Sequence, residues 1–184
     1  MVLAARVTDA RGFSLVDMMV TIAVFTILMA MAVPGVIDAT DAFRLGSAAR
    51  SIERELQAAR LKAVSANRSM RLRLNCPEAG SFRMVEVMNS LSVDNASARC
   101  SEGVYPYPSP RDTDAATPAH DGPVRRVHST VALPSTVLQF APDGRTTQVV
   151  SGASTSMSTV TLTLTKGSRT QSITVNALGK IQLQ

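Results

Sequence analysis

One segment limits what this chain can become. From Phe13 to Ile37 (FSLVDMMVTIAVFTILMAMAVPGVI) it is apolar almost throughout, and between Met18 and Val33 the only polar side chains are Thr21 and Thr26. As a helix these 25 residues reach roughly 37 Å, enough to cross a hydrocarbon core about 30 Å thick. Arg6 and Arg11 precede the segment, and Asp38 and Asp41 follow it. The Lys/Arg bias predicts residues 1–12 in the cytoplasm and everything after residue 38 beyond the membrane. No other stretch is long enough to span, which argues against a polytopic protein. An apolar share of 45% excludes a wholly disordered chain.

Three readings of the segment compete. Ala30-Met31-Ala32 has the small-x-small shape of a secretory cleavage site. A plain single-span anchor is the second. The third is the one that uses Asp17, a carboxylate at the edge of an apolar segment that needs compensation. Were the chain cut between Gly12 and Phe13, the new α-amine of Phe13 would lie four residues from Asp17 on one helical face. Gly12-Phe13-Ser14-Leu15-Val16-Asp17, the apolar run and Pro34 together resemble the class III signal of type IV pilins and type II secretion pseudopilins. That family carries Glu at the fifth mature position, where this chain has Asp17. The resemblance implies cleavage after Gly12 by a prepilin peptidase, N-methylation of Phe13, and a role for Asp17 in aligning an incoming subunit. A proline such as Pro34 either ends a helix or kinks it; in the family it kinks or loosens a helix that continues. Both readings place a bend near Pro34-Gly35.

Beyond Gly35, Ile52, Leu56, Ala59, Ala63, Ala66 and Met70 recur at spacings of four and three, one apolar helical face. The pattern predicts helix from Asp38 to about Asn67. Residues 38–75 hold eight basic and four acidic side chains; residues 76–184 hold nine and eight. A basic helix invites a nucleic-acid or anionic-membrane reading. An ordinary solvated face is the plainer one, and no aromatics interleave the arginines between Arg44 and Gly80. Leu56, Ala59, Arg60, Ala63 and Asn67 resemble the Leu-x-x-Ala-Arg-x-x-Ala-x-x-x-Asn helix of the GspH/FimT branch of the pilin superfamily. Phe140-Ala141-Pro142-Asp143-Gly144-Arg145 and Ile173-Thr174-Val175 with Gly179-Lys180-Ile181 resemble its C-terminal pattern. Some members of that branch are DNA-uptake pilins with an arginine-rich segment after this Gly-Arg. Arg145 is therefore the candidate DNA contact, although Thr146, Thr147 and Gln148 follow it here.

The rest reads as strands. Met70, Leu72 and Leu74 alternate with Arg71 and Arg73, and Val160, Leu162 and Leu164 alternate with threonines. Met84–Met88, Val131–Leu133, Val137–Phe140, Ser172–Val175 and Ile181–Leu183 are further candidates, with a turn at Lys166-Gly167-Ser168. The short turns predict antiparallel pairing, with the sheet packed on the helix's apolar stripe. Between Cys100 and Ser129 lie five of the nine prolines, a surface loop over about 101–129. Tyr105 and Tyr107 there either meet a partner or pack on their own sheet.

The expected domains are a leader (1–12), a transmembrane or filament-core helix (13–37), the outer half of the same helix (38–68) and an antiparallel β domain (69–184). Beyond the membrane the compartment is oxidising, where two cysteines usually pair. A Cys76–Cys100 bond is expected, with free thiols or an intermolecular link as rivals.

No catalytic constellation is visible. His120 and His128 are the only histidines and both lie in or beside the loop. The closest glycines, Gly144 and Gly152, lie eight apart, which excludes a glycine-rich phosphate cradle. Asp112, Asp114 and Asp121 sketch at most a weak calcium site without ligand spacing, so neither metal nor cofactor is expected. The expectation is an α+β, pilin-like, non-enzymatic subunit, anchored by one span in the inner membrane with its C-terminal domain in the periplasm. Its partners would be other pilins, prepilin peptidase and the inner membrane, with DNA as the rival partner; a soluble periplasmic protein released after Ala32 is a further rival.

Overall fold

The computed structural model describes residues 12–109 and 118–184. Its longest element is helix α1 (Leu15–Ala66), 52 residues with Pro34 inside it. The helix continues through Pro34-Gly35, so the reading in which proline ends it is excluded; the ring removes one N–H donor from the ladder. The chain divides into two units after Thr40. In the first, every described residue is exposed. Its two mid-segment hydroxyls find partners on their own helix: Thr21 Oγ1 donates to the Met18 carbonyl at 2.9 Å and Thr26 Oγ1 to the Ala23 carbonyl at 2.8 Å. A hydroxyl bonded this way needs no water, which suits apolar surroundings.

In the second unit α1 buries Leu45, Ala48, Ala49, Ile52, Leu56, Ala59 and Ala63. The expected face is the buried one, but it starts two turns earlier, at Leu45, and Ala66 is only half-buried. Four of the seven are alanines, which let the helix backbone approach the strands closely. The helix ends in a Schellman motif at Asn67, whose φ is +50°. The Asn67 N–H donates to the Val64 carbonyl and the Arg68 N–H to the Ala63 carbonyl. Asn tolerates this left-handed conformation better than most side chains.

The strands are β1 (Met70–Leu74), β2 (Ser81–Glu86), β3 (Arg125–Arg126), β4 (Val137–Phe140), β5 (Thr146–Val150), β6 (Ala153–Ser156), β7 (Thr159–Lys166), β8 (Arg169–Asn176) and β9 (Ile181–Leu183). A short helix α2 (Leu91–Asn95) and a 3-10 turn (Ser97–Cys100) follow β2. All pairings are antiparallel. The strands form two sheets, not one: six strands in the order β3-β2-β1-β4-β5-β6, and three in the order β7-β8-β9. A single bridge, Ala132 to Thr165, joins the segment expected as a strand at Val131–Leu133 to β7. The strand expected at Met84–Met88 instead spans Ser81–Glu86. β5 and β6 were not expected, because their Thr, Ser and Gln side chains show no apolar alternation.

Both sheets share one core under the helix. Met70, Leu72, Leu74, Phe82, Met84, Leu138 and Phe140 come from the larger sheet, and Leu162, Leu164, Ile173 and Val175 from the smaller. Each large aliphatic or aromatic side chain buried there contributes about 1.5–3 kcal/mol.

Candidate functional site

At the start of α1, Ser14 and Asp17 form a capping box. The Ser14 carbonyl accepts the Met18 N–H, which makes Ser14 the N-cap. Its Oγ accepts the Val16 N–H at 3.3 Å, and Asp17 Oδ2 accepts the Ser14 N–H at 3.3 Å. Two of the four orphan donors of the helix end are thereby satisfied, and the carboxylate sits at the positive end of the helix dipole. Ser-x-x-Asp before an apolar run is a legible signal, and it supplies Asp17 with a local partner independent of any chain-end amine. Phe13, next to Gly12, is 86% exposed, and the apolar side chains that follow it are all exposed.

The other motif residues converge. Arg60 on α1 donates from Nε to the Gly144 carbonyl at 3.3 Å and from Nη2 to the Leu178 carbonyl at 3.2 Å. Gly144 (φ +79°) closes the β4–β5 turn, its N–H on the Ala141 carbonyl at 2.9 Å. Gly179 (φ +76°) closes the β8–β9 turn, and a Cβ there would strike the Gly144 carbonyl and Arg60 Nε. The helix motif and the two C-terminal motifs thus form one junction tying the helix to a turn from each sheet. A shallow cavity of about 470 Å³ opens there, lined by Arg60, Leu61, Val64, Asp143, Lys180 and Ile181 among others.

Arg145 lies beside this junction with its side chain 74% exposed. Its Nε is 3.3 Å from Asp143 Oδ2, and its N–H donates to Asp143 Oδ1 at 3.0 Å. Its charge is therefore partly balanced within its own turn.

The outer face of the larger sheet differs from expectation. Alternation on β1 implied solvated arginines, yet Arg71 is buried and Arg73 half-buried. Residues 95–105 and Gly122 lie over this face. Arg71 donates to Gln139 Oε1 at 2.8 Å and Asn95 Oδ1 at 3.0 Å; Arg73 donates to the Ala96 carbonyl at 2.8 Å. Arg83 is fully buried and spends its guanidinium on four carbonyls, those of Gly122, Arg99, Ser101 and Tyr105, at 2.6–3.1 Å. Burial pushes the pKa values of Arg71, Arg73 and Arg83 down. Arg99, also fully buried, pairs with Asp121 at 2.9 Å and stacks 4.7 Å from the Tyr105 ring centroid. The Tyr105 ring thus meets the 3-10 turn of its own chain. Cys76 and Cys100 form a disulfide with Cα atoms 5.1 Å apart, pinning this cover to the β1–β2 turn.

Three carboxylates are tuned. Burial raises the pKa of Glu55, which nevertheless pairs with Arg125 at 2.9 Å. Lys166, on β7, donates to Asp41 at 2.8 Å and to Thr130 at 2.7 Å, and its hydrogen bond lowers the Asp41 pKa. Asp121 is committed to Arg99 and the Glu86 N–H, and burial raises its pKa. Asp112, Asp114, Arg6 and Arg11 lie outside the described residues. Among the described residues, no group of three His, Cys, Asp or Glu side chains comes together to hold a metal ion.

A family model described as Type II transport protein GspH matches residues 48–179, and one described as Prokaryotic N-terminal methylation motif matches residues 8–33. The chain belongs to the GspH family. No curated protein matches it. Among solved structures it is similar to the type IV minor pilin FimU of Pseudomonas aeruginosa, at 16% identity and a TM-score of 0.48, covering 79% of this chain and 91% of that one. It is also similar to the minor pseudopilin EpsH of the Vibrio cholerae Type 2 Secretion System, at 12% identity and a TM-score of 0.44, covering 77% of this chain and 96% of that one.

Proposed function

We propose that the chain is a minor pilin or pseudopilin, a structural subunit of a type IV pilus or a type II secretion pseudopilus. One observation carries this reading: a single helix whose first part is exposed, with a mean hydropathy of 2.4 over its most apolar window, and whose second part is built into a β domain. Such a segment is insoluble alone and needs either a bilayer or other copies of the same kind of helix around it. Before assembly it spans the inner membrane with the β domain in the periplasm. Prepilin peptidase cuts between Gly12 and Phe13, and Phe13 is methylated. The apolar segments then bundle in the filament core, where Asp17 meets the terminal amine of a neighbour while continuing to cap its own helix.

N-terminal sequencing of the protein recovered from cells tests this reading. Phe13 is expected first; Val33 first would instead mark a protein released after Ala32, and an intact Met1 an uncut anchor. Asp17→Ala is expected to be cleaved normally yet to assemble poorly, and normal assembly would remove its assigned role. The exposure of Arg145 supports a second reading, a DNA-binding minor pilin. A gel shift of the full chain in detergent separates the two, since salt-sensitive micromolar binding favours the DNA reading and no binding at low salt dismisses it.

A further inference from the structure

The two ends of the six-stranded sheet are finished differently. At one end β3 is two exposed arginines, Arg125 and Arg126. Charges on an edge strand discourage another strand from pairing with it. At the other end β6 (Ala-Ser-Thr-Ser) is exposed at all four positions and has no such guard. It lies within residues 146–165, twenty residues without a charge or a proline, the longest charge-free run outside the apolar segment.

The register shows which backbone groups are free. Ser151 (φ +50°) and Gly152 (φ +86°) form the two-residue turn between β5 and β6, and Val150 opposes Ala153 across it. The pair flanking such a turn is hydrogen-bonded, and pairs alternate from there. Ala153 and Thr155 therefore direct their backbone groups to β5, while Ser154 and Ser156 direct theirs off the sheet. The edge is held in place from behind. Arg71 Nη2 donates to the Gly152 carbonyl at 3.4 Å, and Ser154 Oγ donates to Gln139 Oε1 at 2.9 Å.

We propose that β6 is a strand-pairing surface for a second copy of this chain. Two β6 strands meet antiparallel about a two-fold axis through Thr155, and Ser154 and Ser156 of each copy exchange backbone hydrogen bonds with Ser156 and Ser154 of the other. The occupant follows from charge. A chain of net charge +5 repels its own copies, and this uncharged edge is where two copies approach without opposing charges. The edge is also self-complementary, as a two-fold contact requires. The proposal rests on the β domain alone and stands whether or not the filament reading does.

In this arrangement the two Thr155 residues form a non-hydrogen-bonded pair with Cα atoms about 4.5 Å apart, close enough for a disulfide. The native cysteines are already joined. Full chain in detergent carrying Thr155→Cys is expected to form disulfide dimers under a mild copper oxidant about tenfold faster than chain carrying Ser168→Cys, which lies on the exposed β7–β8 turn. Association through the apolar helices is common to both variants and cancels. Thr155→Lys, which sets two like charges opposite each other, is expected to reduce the sedimenting species from two chains to one. Equal cross-linking in the two cysteine variants, or an unchanged mass for Thr155→Lys, overturns the proposal.

Discussion

The two faces of the paired strands β1 and β2 are both covered, by opposite chemistry. Toward α1, Leu72, Met84, Leu138 and Phe140 share one apolar core with Ile52, Leu56 and the helix alanines. On the other face Arg71, Arg73 and Arg83 meet a cover with little regular structure. A helix satisfies its own backbone, so non-directional apolar contact suffices to hold it. An irregular segment brings unpaired carbonyls, which must be hydrogen-bonded if they are buried. A guanidinium offers five donors on a long stem and meets several carbonyls at once, as Arg83 does. The price is charge: Arg73 and Arg83 stand directly opposite in the β1–β2 register, and like charges so placed repel.

If the contrast holds, the largest effect comes from the polar face. Asp121→Ala leaves Arg99 buried without a carboxylate and is expected to destabilise by about 3–5 kcal/mol in urea unfolding. A loss below about 1 kcal/mol would show that carbonyls and the Tyr105 ring hold Arg99 unaided. On the apolar face Leu56→Ala is expected to cost about 2–5 kcal/mol, from the lost burial of its methyl groups plus the cavity left behind, with no pH dependence. Arg60→Ala, at the junction of the helix with a turn from each sheet, removes one part-buried and one exposed carbonyl bond and is expected to cost about 1 kcal/mol.

The smallest and most discriminating effect is in pH. The Asp41 pKa is lowered by Lys166 from its ordinary 3.8, so the pair's contribution is present above that value and lost as pH falls through the lower, folded one. Lys166→Met should therefore depress Tm at neutral pH, with the difference from the unsubstituted chain vanishing in acid. Asp121 behaves oppositely: its pKa is raised, so its contribution is complete below 3.8 and declines as pH rises through the raised value. A thermal melt series across acid pH separates the two.

Much of the apolar face could be read from residue spacing. The helix stripe, β1, β4 and the β7–β8 hairpin all carry apolar periodicity, and periodicity reports which side is buried. It does not report what covers the far side, so Arg71 and Arg73 read as solvated when a segment twenty residues away lies over them. β5 and β6 were missed because they bury no large apolar side chain, so pairing rather than periodicity places them. The motif residues Arg60, Gly144 and Gly179 were each visible, but their meeting depends on two turns from different sheets closing on one helix. Asp17 was read for a chain-end amine, while the Ser14 signal three residues earlier already supplied a local partner.

The first turn of the long helix is wound by groups that all lie between Ser14 and Met18. Scission at Gly12 would remove none of them. A chain trimmed there would thus keep its coil down to the second residue. Loss of Ser14 would instead leave a frayed tip at the end that, under the proposed function, meets a neighbouring subunit.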